Sequence, residues 1–157
     1  KTQDYFRELN KIYKKYPAFW EIDYSWEGFS WCVSDDNDNS VIAFRRIDKK
    51  GDEIICVCNF TPVSRENYCF GVEKDGYYEV ILNSDDERFG GKGGGTKTKV
   101  SSKKTPMHGF ENSISVDLPG LSTLYLKYKK KPASKKKAAA SEEKKTQVKK
   151  SKEKVLK

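Results

Sequence analysis

Apolar residues recur at Tyr5, Phe6, Leu9, Ile12, Tyr13 and Tyr16. Steps of three and four place them on one face of an α-helix, which predicts a helix over Asp4–Tyr16. Thr2 fits as its N-cap, but Tyr5 at the third helical position leaves no capping box. Pro17 ends the helix, because the residue before a proline is pushed out of the helical region. An aromatic stretch follows, with Phe19, Trp20, Tyr24, Trp26, Phe29 and Trp31, and it contains all three tryptophans of the chain. That is too much aromatic area for a solvated loop. It predicts packing against the helix and a sheet or, in a longer protein, against a neighbouring domain.

From Phe29 onward the period changes from helical to strand-like. Over Ser40–Ile47, Val41, Ala43 and Arg45 point one way and Ile42, Phe44 and Arg46 the other. Asp48-Lys49-Lys50-Gly51-Asp52 reads as a hairpin turn, answered by an apolar strand over Glu53–Phe60. Tyr68–Val72 is a short strand, and Lys74-Asp75-Gly76 turns into another over Tyr77–Asn83, where one of Tyr77 and Tyr78 must face inward. Gly90–Thr105 is rich in Gly, Lys, Ser and Thr and reads as loop. Ser113–Leu118 and Leu121–Tyr128 are expected to pair across Pro119-Gly120. Seven or so short strands at this spacing predict an all-β antiparallel sandwich preceded by one helix.

Charge divides the chain. The net charge of +8 over 157 residues comes from its end: Lys127–Lys157 carries 14 Lys and three Glu, whereas Lys1–Leu126 carries 17 basic and 20 acidic residues. A whole-chain argument for nucleic-acid binding from net charge therefore misleads, and the mildly acidic body is not a nucleic-acid surface. After Lys131-Pro132 the only large apolar residues are Val148, Val155 and Leu156, too few to build a core, so residues 129–157 are expected to form a Lys-rich disordered tail. No run of 18 apolar residues exists, so no membrane-spanning helix is predicted. A Lys rather than a Met at position 1 suits a trimmed fragment as well as a processed chain.

The chemistry-bearing residues form no recognisable reaction centre. Asp35, Asp36 and Asp38, and again Asp85, Asp86 and Glu87, sit in turns without an apolar pocket to separate their pKa values, as paired acid and base work requires. Asp36-Asn37-Asp38-Asn39-Ser40 begins like a calcium loop, but Val41 and Ile47 stand where Gly and Glu are needed. These residues are better read as turn caps. Gly90-Gly91-Lys92-Gly93-Gly94-Gly95-Thr96-Lys97 fails the phosphate-loop spacing and reads as a flexible loop. His108 is the only histidine and has no ligand partners in spacing, which leaves it a turn role. Cys32, Cys56, Cys58 and Cys69 contain no C-x-x-C and read as small buried hydrophobes; Cys56 and Cys58 share a strand face but lie too far apart to bridge easily. No cofactor or metal is expected.

Seven strings, in order, carry a family resemblance over roughly Tyr5–Lys127. They are Arg7-Glu8-Leu9-Asn10-Lys11-Ile12-Tyr13 with Tyr16-Pro17-Ala18-Phe19; Glu27-Gly28-Phe29-Ser30-Trp31; Asn39-Ser40-Val41 with Phe44-Arg45-Arg46; Asn59-Phe60-Thr61-Pro62-Val63; Ile81-Leu82-Asn83-Ser84-Asp85 running on to Gly91; Met107-His108-Gly109; and Ser113-Ile114-Ser115-Val116 with Leu118-Pro119. In this order and spacing the chain resembles the C-terminal portion of bacterial 1,4-α-glucan (glycogen) branching enzymes, members of the α-amylase superfamily. The resemblance implies that residues 1–28 are the last helix of a catalytic barrel and its connecting segment, and 29–128 the closing β-sandwich. It further implies a parent that cuts an α-1,4-glucan and transfers the chain to a 6-hydroxyl, using two barrel carboxylates in a retaining mechanism. No matching position here carries those carboxylates, so this part is expected to be inactive alone, to support an upstream barrel, and to work in the cytoplasm. The Lys-rich end and Lys97–Lys104 fall outside the shared pattern.

Trp20, Trp26 and Trp31 remain open between two roles: packing in a core or domain interface, or stacking on the apolar faces of glucan sugars. Two alternatives to the accessory-domain reading stand beside it: a free-standing carbohydrate-binding module, and a polyanion-binding protein acting through its tail.

Overall fold

The computed structural model describes residues 1–132, so the tail expected over 129–157 lies almost wholly outside the described residues. The helix α1 spans Thr2–Lys15. Its N-cap position is Lys1 with no side-chain cap, so Thr2 is the first helical residue rather than the cap. Tyr16 is extended (φ −112°, ψ 107°), as the proline after it demands, and Pro17–Phe19 form one 3-10 turn. A second 3-10 turn, Trp26–Gly28, leads into eight strands: β1 Phe29–Asp36, β2 Val41–Ile47, β3 Glu53–Asn59, β4 Arg65–Val72, β5 Gly76–Asn83, β6 Lys99–Ser101, β7 Asn112–Leu118 and β8 Ser122–Lys130.

Six strands form one antiparallel sheet in the order β1-β2-β3-β8-β5-β6, and β4 and β7 form a second. The main core lies between them. Val41 and Ala43 of β2, Ile55 and Val57 of β3, and Leu124 and Leu126 of β8 face Phe70 and Val72 of β4 and Ile114, Val116 and Leu118 of β7. Tyr78 is buried here and Tyr77 is not, so the inward member of that pair is Tyr78.

The alternation read in β2 has a physical use on both sides. Its other face looks outward, where α1 and the Pro17 turn cover the sheet: Ala18, Ile54 and Cys56 are buried there, with Tyr16, Phe19, Phe44, Ile81 and Tyr125 packed around them. This explains why β3 reads as an almost unbroken apolar run, since a strand covered on both faces has no solvent side.

Two expectations fail. β7 and β8 do not pair with each other; β7 pairs with β4, and β8 sits between β3 and β5. Pro119-Gly120 is a corner that carries the chain from one layer to the other. At that corner Leu121 takes a left-handed backbone (φ 51°), and Gly120 packs so tightly that a Cβ would lie 2.2 Å from the Pro62 carbonyl oxygen. The segment Gly90–Thr105, expected to be loop throughout, contains β6, a three-residue edge strand paired to β5 through Tyr77–Ser101, Tyr78–Val100 and Glu79–Lys99. Short length and a lysine on the edge hinder further strand addition.

Candidate functional site

Two of the seven strings, those of Asn59 and Asp85, act as braces. Asn59, buried at the end of β3, donates from its side-chain nitrogen to the Val63 carbonyl (2.8 Å) and the Pro119 carbonyl (3.0 Å). Its side-chain oxygen accepts from the Thr61 amide (3.0 Å) and the Thr61 hydroxyl (2.9 Å). One side chain thus folds its own loop and ties it to the corner between β7 and β8, and the Leu121 amide adds a bond to the Thr61 carbonyl (2.7 Å).

Asp85 does the same for the glycine segment. Its carboxylate accepts from the Lys92 amide (3.1 Å) and the Gly94 amide (3.0 Å), while the Asn83 side chain donates to the Gly94 carbonyl (2.8 Å). A Cβ on Gly91 would meet the Asp85 carbonyl oxygen at 2.1 Å. The loop expected to be flexible is therefore pinned at three points.

Asp36 is a turn cap: its carboxylate accepts from the Asn39 amide (3.2 Å) and side chain (3.0 Å) and from the Tyr68 hydroxyl (2.6 Å). Desolvation opposes its ionisation, but those hydrogen bonds together hold it below the usual carboxylate range. His108 sits in a turn with φ 51° and accepts the Gly71 amide on Nδ1 (3.2 Å). Among the described residues no group of three His, Cys, Asp or Glu is arranged to hold a metal. The four cysteines are free. Burial pushes the Cys32 thiol up to about 12, opposed by Arg45, and raises the Cys56 thiol as well. Both are packed as neutral hydrophobes, not held as nucleophiles.

The aromatic stretch leaves several large rings at the surface. Its outcome differs from the expected burial: the stretch splits between packed and open rings. Phe19 goes under, against Tyr125 (6.2 Å between centroids). Phe29, Trp31 and Phe44 make a cluster on the outer face of β1 and β2, with Trp31 edge-on to Phe29 (5.0 Å) and to Phe44 (6.0 Å). Trp31 is still 48% exposed there, because β1 is an edge strand. Trp20 is 43% exposed and shares a shallow depression with Tyr13 and Lys14. Trp26 is 84% exposed and makes no aromatic contact among the described residues. The three tryptophans thus occupy one segment without forming a single platform.

Two residues hold this segment in place, and neither was singled out for that role from the sequence. Arg46, on the outer face of β2, donates to the carbonyls of Ala18 (3.5 Å) and Phe19 (3.3 Å) and to the Asp23 carboxylate (2.6 Å). Gly28 lies so close to Ile22 that a Cβ would fall 2.0 Å from the Ile22 carbonyl oxygen. The Glu21 carboxylate closes the top by accepting the Lys49 amide (3.0 Å). The signal for Arg46 was its outward register beside Phe44; the signal for Gly28 was only its place in the string Glu27-Gly28-Phe29.

Helix α1 leaves a second apolar feature open. Phe6, Leu9, Ile12 and Tyr13 line a groove of about 290 Å³ closed by Phe19 and Tyr125, with Phe6 59% and Tyr13 50% exposed.

The fold and these braces define an all-β antiparallel sandwich of two sheets whose loops are tied down by buried side chains. Residues 31–129 match the family described as alpha amylase, C-terminal all-beta domain. The chain belongs to that family. It is similar to the 1,4-alpha-glucan branching enzyme GlgB of Photobacterium profundum, 46% identical over 123 residues, which cover 78% of this chain and 17% of that relative. The same level of identity, 46% over 125 residues, links it to the 1,4-alpha-glucan branching enzymes GlgB of two strains of Prochlorococcus marinus, covering 79% of this chain and 17% of each relative. The chain therefore spans about a sixth of the length of the curated relatives it matches. The family match begins at Trp31, so α1 and most of the aromatic segment lie outside it.

Proposed function

We infer that this chain serves as the C-terminal accessory part of a cytoplasmic glycogen branching enzyme, a glycosyltransferase of glycogen biosynthesis that moves an α-1,4-glucan chain onto a 6-hydroxyl. In this reading residues 1–28 complete the catalytic barrel, residues 29–128 form the sandwich that supports it, and residues 129–157 are a basic tail. The observation that carries the reading is the open flank of α1. An apolar groove fronted by Phe6 and Tyr13 is a surface made to be covered, and the segment that matches the Photobacterium profundum branching enzyme covers only 17% of that relative. The upstream barrel is the partner that would cover it. No membrane-spanning helix occurs among the described residues.

The same reading assigns glucan contact to Trp20, Trp26 and Trp31. Trp26 supports it best, since a large ring held 84% open on a capped turn is available to stack on a sugar face. A chimera tests the scaffold role: residues 1–130 replace the corresponding segment of the Photobacterium profundum enzyme. The chimera should keep its activity in an iodine–amylose assay, and Phe6→Asp with Tyr13→Asp should abolish it. Full activity in that double variant would refute the assignment of the groove. The 157-residue chain alone should leave the iodine–amylose spectrum unchanged. Affinity electrophoresis in glycogen tests the tryptophans: retardation should fall on Trp26→Ala, and an unchanged mobility would remove Trp26 from the site.

A further inference from the structure

The flank of α1 opposite the apolar groove is basic. Glu8, Lys11 and Lys15 fall on one side of the helix, a quarter of a turn or more away from Leu9 and Tyr13. They face the outer surface of β5 and β8 across a second groove of about 620 Å³, whose walls include Tyr16, Ile81, Glu79, Lys127 and Lys129. Register brings further charge to this face. Glu79 of β5 is paired on one side with Lys99 of β6 and on the other with Lys127 of β8.

The charges do not balance. Glu8 is taken by Lys11 (2.6 Å) and Glu79 by Lys129. Lys15, Lys99 and Lys127 form no ion pair among the described residues. Two of these ammoniums lie against one ring: Lys15 is 5.2 Å and Lys127 4.8 Å from the centroid of Tyr16. Lys99 stands 4.9 Å over Tyr77 on the same face. Neither Lys15 nor Lys127 has a carboxylate partner of its own among the described residues, and an anion in the groove would supply a counter-charge to both. Ammoniums act as point charges and suit phosphate, whereas a floor of Ile12, Ile81 and the Tyr16 ring offers apolar contact beside it. The volume falls in the range of small-ligand sites.

We propose that this groove is a binding site for a phosphate-bearing small ligand, with Lys15 and Lys127 as its anion clamp. The site does not depend on the branching-enzyme reading.

Titration of the 15N-labelled full chain with inorganic pyrophosphate, and separately with a hexose monophosphate, tests the site by residue. Saturable amide shifts should appear at Lys15, Tyr16, Glu79 and Lys127. The double variant K15Q/K127Q should bind at least tenfold more weakly, while K49Q/K50Q, a matched loss of charge in the β2–β3 turn, should bind as the parent chain does. Tighter binding of the hexose phosphate assigns a phosphosugar, and tighter binding of pyrophosphate assigns a free polyphosphate; either ranking supports the site. Shifts confined to residues 133–157, or equal affinity of K15Q/K127Q and the parent chain, would overturn it.

Discussion

Replacing Asn59 isolates the brace that joins the two layers. The side chain makes four hydrogen bonds, two donated to the Val63 and Pro119 carbonyls and two accepted from Thr61. A neutral hydrogen bond contributes about 0.5–1.5 kcal/mol net, so the four sum to about 2–6 kcal/mol before solvent is considered. Val63 and Thr61 lie near the surface, where water replaces the lost partner. The Pro119 carbonyl keeps the Ser122 hydroxyl (2.8 Å). Those offsets bring Asn59→Ala to about 2–3 kcal/mol, or roughly 6–12 °C in Tm for a domain of this size. Asn59→Asp is the sharper probe. It retains the acceptor for Thr61 but loses both donors and sets a negative charge against two carbonyl oxygens in a buried position, so it should be at least as damaging as alanine. Urea unfolding followed by tryptophan fluorescence, with m-values compared, measures both variants. An Asn59→Asp chain as stable as the parent would refute the claim that donation to the two carbonyls closes the corner.

Gly28→Ala should destabilise by about 1–3 kcal/mol, read by the same unfolding curve, because the new Cβ meets backbone rather than a side chain that can swing away. Arg46→Ala should cost about 1–2 kcal/mol and shift the tryptophan emission to the red as the Ala18–Asp23 segment loosens, whereas an unchanged spectrum would show that apolar packing alone holds the segment. Alkaline pH should destabilise the chain. Cys32 is raised from an ordinary 9.0 to about 12 and Cys56 is raised too, so above pH 9 the unfolded state sheds thiol protons that the folded state keeps. Stability then falls with rising pH, by about 1.4 kcal/mol per unit for each such thiol, and Tm recorded from about pH 8 to 11 should decline. Iodoacetamide at about pH 8 should leave Cys32 and Cys56 unmodified until denaturant is added, as peptide mass mapping can read.

Much of this protein was legible because local periodicity records which side of an element is covered. The helix, the alternation of β2, the turns at 48–52 and 74–76 and the inward place of one tyrosine in the Tyr77-Tyr78 pair all follow from residues within a few positions of one another. The order of the family strings likewise follows from the chain alone. Tertiary structure decided what depends on distant partners. β7 and β8 look like a hairpin because two strands flank Pro119-Gly120, yet the hydrogen bonds of Asn59, 60 positions away from Pro119, hold that corner open between layers. β6 was hidden because a short, mostly polar segment becomes a strand only when β5 offers an edge. Trp26 stands open although its composition argues for burial, since exposure is set by how far Arg46 and Gly28 draw the segment onto the sheet. The meeting of Lys15 and Lys127 with one Tyr16 ring likewise needed the end of the helix brought against β8: charge can be counted along a chain, but its balance is a property of space.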